Sequence, residues 1–141
     1  MLLDAALDAH DDIRLARRAA AFAPDAIGFS LSTAQELTSA LAVYDEAVRV
    51  LAQSQQAVHW IAGGNFVTSE PEHADRLLPP GWQLVRGEGE MALDALVEDW
   101  TASKIGPRVL LGKALPSLDN LPLADRPYTR QILANGWSFN L

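Results

Sequence analysis

Pro24-Asp25-Ala26-Ile27-Gly28-Phe29-Ser30-Leu31-Ser32-Thr33 is the stretch whose reading decides the fold. Pro24-Asp25 breaks the pattern before it, Ala26 to Leu31 is a short apolar run, and Ser32-Thr33 brings hydroxyls suited to a helix start. A run of that length between breakers predicts a buried strand over residues 26–31. Thr33 with Glu36 three residues later forms a capping box. Leu37, Leu41, Tyr44, Val48 and Leu51 then step by three or four, which predicts a helix to about residue 53.

The same alternation continues outward. Upstream, residues 11–23 are rich in Ala and Arg. Ile13, Leu15, Ala19 and Phe22 share one side at helical spacing, and Asp11 and Asp12 suit the positive N-terminus. Downstream, residues 57–62 make a second buried strand, stopped by Gly63-Gly64. Residues 70–78 predict a short helix ended by Pro79-Pro80, and residues 82–86 a third strand. Residues 90–102 predict a helix with Met91, Leu93, Leu96, Val97 and Trp100 on its apolar side, and Arg108–Leu111 an edge strand. Strands alternating with helices imply βαβ units, a parallel sheet and helices on both faces. Residues 1–115 therefore form the domain. Residues 116–141, with Pro116, Pro122 and Pro127, read as an extended connector and tail.

Composition narrows the function classes. The 141 residues suffice for one domain with a real core, and 49% hydrophobic with 21% charged residues excludes a disordered chain. A net charge of −7 argues against nucleic acid and against an anionic membrane surface as partners. The absence of cysteine removes disulfides, thiolate zinc sites, cysteine nucleophiles and thiolate-ligated iron–sulfur clusters. No apolar run is long enough to span a bilayer, and Met1-Leu2-Leu3-Asp4 lacks a basic signal-peptide start, so the expected location is cytoplasmic.

In parallel sheets, ligands bind beyond the carboxyl ends of the strands. Those ends here are Ser30-Leu31-Ser32-Thr33, Gly63-Gly64-Asn65 and Gly87-Glu88-Gly89-Glu90. Small residues there let a bulky ligand approach the backbone, and helix N-termini offer free amides to a phosphate or amide group. The same residue types are also what any strand-to-helix turn requires.

Pro24 to Ser30, then Gly63-Gly64, then Val85-Arg86-Gly87-Glu88-Gly89-Glu90 resemble the cobalamin-binding domain of class B radical SAM enzymes over about residues 20–130. Leu118-Asp119-Asn120-Leu121-Pro122 is similar to the connector that leads to the radical SAM barrel in that family. The resemblance implies a flavodoxin-like (Rossmann-like) three-layer α/β sandwich with a mostly parallel sheet. It implies that Ser30, Ser32 and Thr33 lie along the nucleotide tail of cobalamin. Gly63, Gly64 and Asn65 would admit that tail, and Gly87, Glu88 and Gly89 would face the corrin. The chain departs from the family in two ways. It has no cysteine for the radical SAM cluster, and only about 25 residues precede the Ala26 strand, so the first βαβ unit is expected to be missing.

Asp8-Ala9-His10-Asp11-Asp12-Ile13 partly matches the D-x-H-x-x-G motif that supplies an axial histidine, but Ile13 replaces the glycine. His10 is read as a solvated residue before a helix, His59 as a hydrogen-bonded core residue and His73 as part of an acidic surface with Glu70, Glu72 and Asp75. Trp82 and Trp100 fit core positions, and Trp137 and Phe139 in the tail could dock on a partner or on the domain itself. Three functions follow. The first is a module with no catalysis of its own that carries cobalamin or acts as accessory to a separate radical SAM protein. The second is a ligand-free interaction domain whose open sheet edge pairs with a partner protein or a second copy. The third is a small enzyme using Glu88, Glu90 and Ser30 near one cleft.

Overall fold

A computed structural model describes residues 11–115 and Ser117. The elements run α1 (Asp12–Ala21), β1 (Ala26–Ser30), α2 (Glu36–Leu51), a short 3₁₀ turn (Ala52–Ser54), β2 (His59–Gly63), α3 (Asn65–Ser69), α4 (Pro71–Leu77), β3 (Trp82–Arg86), α5 (Glu90–Thr101) and β4 (Val109–Leu111). All strand pairings are parallel, in the spatial order β1-β2-β3-β4, with Ser30 opposite Gly63 and Arg86 opposite Leu111. The α/β sandwich expected from the alternation is therefore formed. Among the described residues α1 is the sole element before β1, and β1 is an edge strand. No helix among them is long and apolar enough to cross a membrane. His10, the connector residues 118–122, Trp137 and Phe139 lie outside the described residues.

Strand alternation sorts the core into two sides. Phe29, Trp60, Ala62, Trp82 and Leu84 face one helical layer, where they meet Leu37, Ala40 and Tyr44 of α2, Phe66 and Val67 of α3, and Ala74 of α4. Phe29, Trp60 and Trp82 lie nearly parallel, with Phe29 and Trp82 centroids 4.7 Å apart, and Tyr44 meets Trp60 edge-on at 4.7 Å. Ala16 and Ala20 of α1 pack on Val43 and Ala47 of α2 beside this cluster. Ile61 and Val85 face the opposite side, where Ala92 and Leu96 of α5 cover them. The strands step sideways in chain order, yet α5 lies on the other face from α2 and α4. The crossover from β3 to β4 therefore has the opposite hand to the two before it.

Several local expectations are corrected. Ile13 and Phe22 near α1, and Met91, Leu93 and Val97 of α5, are exposed, and the small residues Ala16, Ala20 and Ala92 with Leu96 make the buried sides instead. Thr33 does not cap α2. The backbone N–H of Ser32 donates instead to Glu36 Oε2 at 2.6 Å, and the N-cap, Gln35, makes no side-chain bond. Asn65 to Ser69, beyond the glycine pair, form an extra short helix. His59 is exposed, not a buried hydrogen-bonded residue. It begins β2 at the open end of the α5 face, and its ring stacks on Trp100 at 4.3 Å. Trp100 is half-buried, with its indole N–H donating to Gln83 Oε1 at 2.9 Å, because it ends the helix at the rim of that cluster.

Candidate functional site

The carboxyl ends of β1, β2 and β3 share one edge of the sheet, and their last residues and the loops that follow carry the candidate cofactor-binding residues. Ser30, Ser32, Thr33, Gly64, Asn65, Gly87 and Glu88 are exposed there, and Gly63 and Gly89 are half-buried.

The loops are built differently from one another. Leu31 ties the first two together. Its side chain is buried, its N–H donates to the Gly63 carbonyl at 2.8 Å, and its carbonyl accepts from the Phe66 N–H at 3.0 Å. This knot explains Gly64. At φ +96°, a Cβ there would lie 2.6 Å from the Leu31 carbonyl oxygen, so the absent side chain is filled by the protein's own backbone. Gly63 has ordinary van der Waals room, its nearest neighbour being the Val85 carbonyl at 3.5 Å. The third loop leans on the edge strand. Gly87, at φ +79°, donates its N–H to Thr68 Oγ1 at 2.9 Å, and Gly112 packs so closely on the Glu88 backbone that any side chain at 112 would overlap it.

The sheet face under α5 adds a feature that the sequence reading passed over. By alternation Ala26, Gly28 and Ser30 lie on that face. Gly28 is exposed, and a Cβ built on it meets nothing within 4 Å among the described residues. The strip is thus a shallow track of small residues along β1 that ends at the hydroxyl of Ser30. By contrast, a shallow apolar groove lined by Val48, Leu51, Val58 and Trp60 lies toward the amino ends of the strands, away from the loops.

The model of the family described as a B12 binding domain matches residues 2–97. This chain belongs to the B12-binding domain family. The match spans α1 to most of α5 and includes all three loops. No curated protein and no solved structure matches the chain. In this member of the family, two features bear on a bulky cofactor. Among the described residues the sheet face at Gly28 and Ser30 is open, and Arg86 at the loop edge keeps its Nε shielded from water without an acceptor. Neither histidine of the described residues stands at that edge. His59 begins its strand at the opposite end, and His73 on α4 pairs with Glu70 at 3.0 Å. Among the described residues no three potential metal-ligating side chains gather. Glu88 and Glu90 are both exposed at the start of α5.

Proposed function

We propose that this chain is a cobalamin-carrying module without catalysis of its own, acting as accessory to a separate radical SAM protein. The observation that carries the reading is the exposed sheet face at Gly28 and Ser30, open among the described residues and running to a loop edge of exposed small and polar residues, in a chain of the B12-binding family. Cobalamin, when bound, supplies a cobalt centre able to carry a methyl group or exchange single electrons. The chain's own residues hold and orient it. Gly28 leaves room beside the sheet, the hydroxyls of Ser30, Ser32 and Thr33 offer hydrogen bonds to the nucleotide tail, and Gly63 and Asn65 flank it. Gly87, Glu88 and Gly89 face the corrin. The radical SAM partner is supported by the Val85–Glu90 resemblance. The 141 residues hold no cysteine with which to bind that partner's cluster themselves.

A titration with hydroxocobalamin tests this, followed by gel filtration read at protein and corrin wavelengths. Co-elution with a shifted corrin spectrum supports the carrier. Gly28→Val should abolish co-elution while leaving the fold intact, because valine suits a strand and an added Cβ meets no described residue within 4 Å. Absence of co-elution at high micromolar cobalamin sinks the carrier. The unpaired outer edge of β1 among the described residues favours a second reading, a ligand-free domain that self-associates by strand pairing. A colourless dimer in sedimentation would select it.

A further inference from the structure

Arg86 is the last residue of β3. Its carbonyl accepts from the Gly112 N–H at 2.7 Å, and the next residue's N–H is taken by Thr68 of α3. Trp82, Leu84 and Arg86 alternate onto the face that carries α3 and α4, so Arg86 stands at the loop edge on the side of α3, one residue before Gly87 and across the sheet from the Gly28–Ser30 strip.

Its electrostatic situation differs from that of the other half-buried or clustered cations. Arg17 and Arg49 are paired with Glu46, Arg108 with Asp75, and Lys104 with Asp99. Arg14, Arg76 and Lys113 are exposed and solvated. Arg86 is half-buried, and its Nε has no access to water and no acceptor among the described residues. A shielded donor left unmade costs free energy, and a guanidinium is built to engage an oxyanion with two parallel donors. Among the described residues this cation has no carboxylate partner, although the chain carries a net charge of −7 and Glu88 lies two residues away.

We infer that Arg86 is the receptor for an oxyanion of the ligand at this edge, and that the oxyanion is the phosphodiester of the cobalamin nucleotide tail. The identification of the oxyanion rests on the carrier reading. The phosphodiester is the anionic group of that cofactor, its other oxygens belonging to neutral amides and hydroxyls. Arg86→Gln removes the charge and keeps a polar side chain of similar reach, and Arg86→Lys keeps the charge without the fork.

The experiment measures affinities of the full chain and both variants for cobalamin, for cobinamide, which lacks the nucleotide tail, and for inorganic phosphate. The expected result is that Arg86→Gln weakens cobalamin about tenfold or more, leaves cobinamide unchanged, and melts no lower than wild type without ligand. Arg86→Lys should fall between the two. Equal affinity of Arg86→Gln and wild type for cobalamin overturns the assignment. So does an equal loss for cobalamin and cobinamide, which would give Arg86 to the corrin side chains. A lowered melting temperature of the unliganded variant would make Arg86 a structural residue and overturn it as well. Where wild type binds no cobalamin, the carrier reading fails by itself and phosphate decides the rest. A melting temperature raised by phosphate in wild type and not in Arg86→Gln keeps the oxyanion receptor, and no rise in either removes it.

Discussion

At the scale of single residues, side chains reaching across the sequence hold the ends of elements. Arg108 stands just before β4 and donates to the carbonyls of Asp75, Leu78, Pro79, Pro80 and Trp82 while pairing with the Asp75 carboxylate. It thereby satisfies carbonyls at the end of α4 and in the turn to β3, and anchors a three-residue strand that has little else. Arg108→Ala should destabilise the protein by about 2 kcal/mol in urea unfolding, and Arg108→Lys should recover little, since a point charge cannot reach the carbonyls together. A loss below about 0.5 kcal/mol would show that water replaces the arginine. Glu46 is a second such residue. Hydrogen bonds from Arg49 and then Arg17 hold its carboxyl down from 4.5 to about 2. Its folded value lies below its unfolded one, so its contribution is present at neutral pH and is lost as pH falls from 4.5 toward 2. The contribution is small, because both arginines are more than half exposed. The stability gap between wild type and Glu46→Gln should close across that window in acid urea melts. A gap that stays constant with pH would mean that the charge contributes nothing.

At the scale of elements, two glycines of neighbouring strand segments separate fold from function. Gly64 is required by the knot with Leu31, where a methyl group would strike the Leu31 backbone and the backbone holds φ +96°. Gly64→Ala should therefore cost about 2 kcal/mol or more in chemical denaturation. Gly28 faces open space, and its replacement by valine should cost almost nothing in the same assay while removing cofactor binding. An unchanged stability for Gly64→Ala would show that the knot yields. The aromatic layer works at the same scale. Phe29 on β1, Tyr44 on α2, Trp60 on β2 and Trp82 on β3 join three strands to one helix, although the Trp82 indole N–H finds no acceptor inside it. Offset and edge-on ring contacts add about 0.5–1.5 kcal/mol each to the burial of the rings.

For the whole molecule, binding at the loop edge is linked to global stability. A ligand that binds only the folded chain raises unfolding free energy by about 2.7 kcal/mol at a concentration near 100 times its dissociation constant. Hydroxocobalamin should accordingly raise the melting temperature of wild type by several degrees and leave Gly28→Val unmoved. A rise in both would place binding elsewhere. Much of this molecule was legible in the chain itself. Short apolar runs closed by Pro24-Asp25, Gly63-Gly64 and Pro79-Pro80 determined β1, β2 and β3 to within two residues, and three-and-four spacing determined α2, because burial on a strand or a helix face leaves its own period in sequence. The extent of α5 was legible but its buried side was not, since Met91, Leu93 and Val97 are exposed and Ala92 and Leu96 meet the sheet. The loop residues of the site were legible for the same reason, each following a strand. Tertiary structure alone decided the rest. It exposed His59 on the α5 face, brought Arg108 to carbonyls about 30 residues distant, pressed Gly112 against Glu88, and left Arg86 without an acceptor. Those outcomes depend on which strands become neighbours and which face each helix covers. Contacts between distant segments carry no local period, so they arise only when the sheet closes.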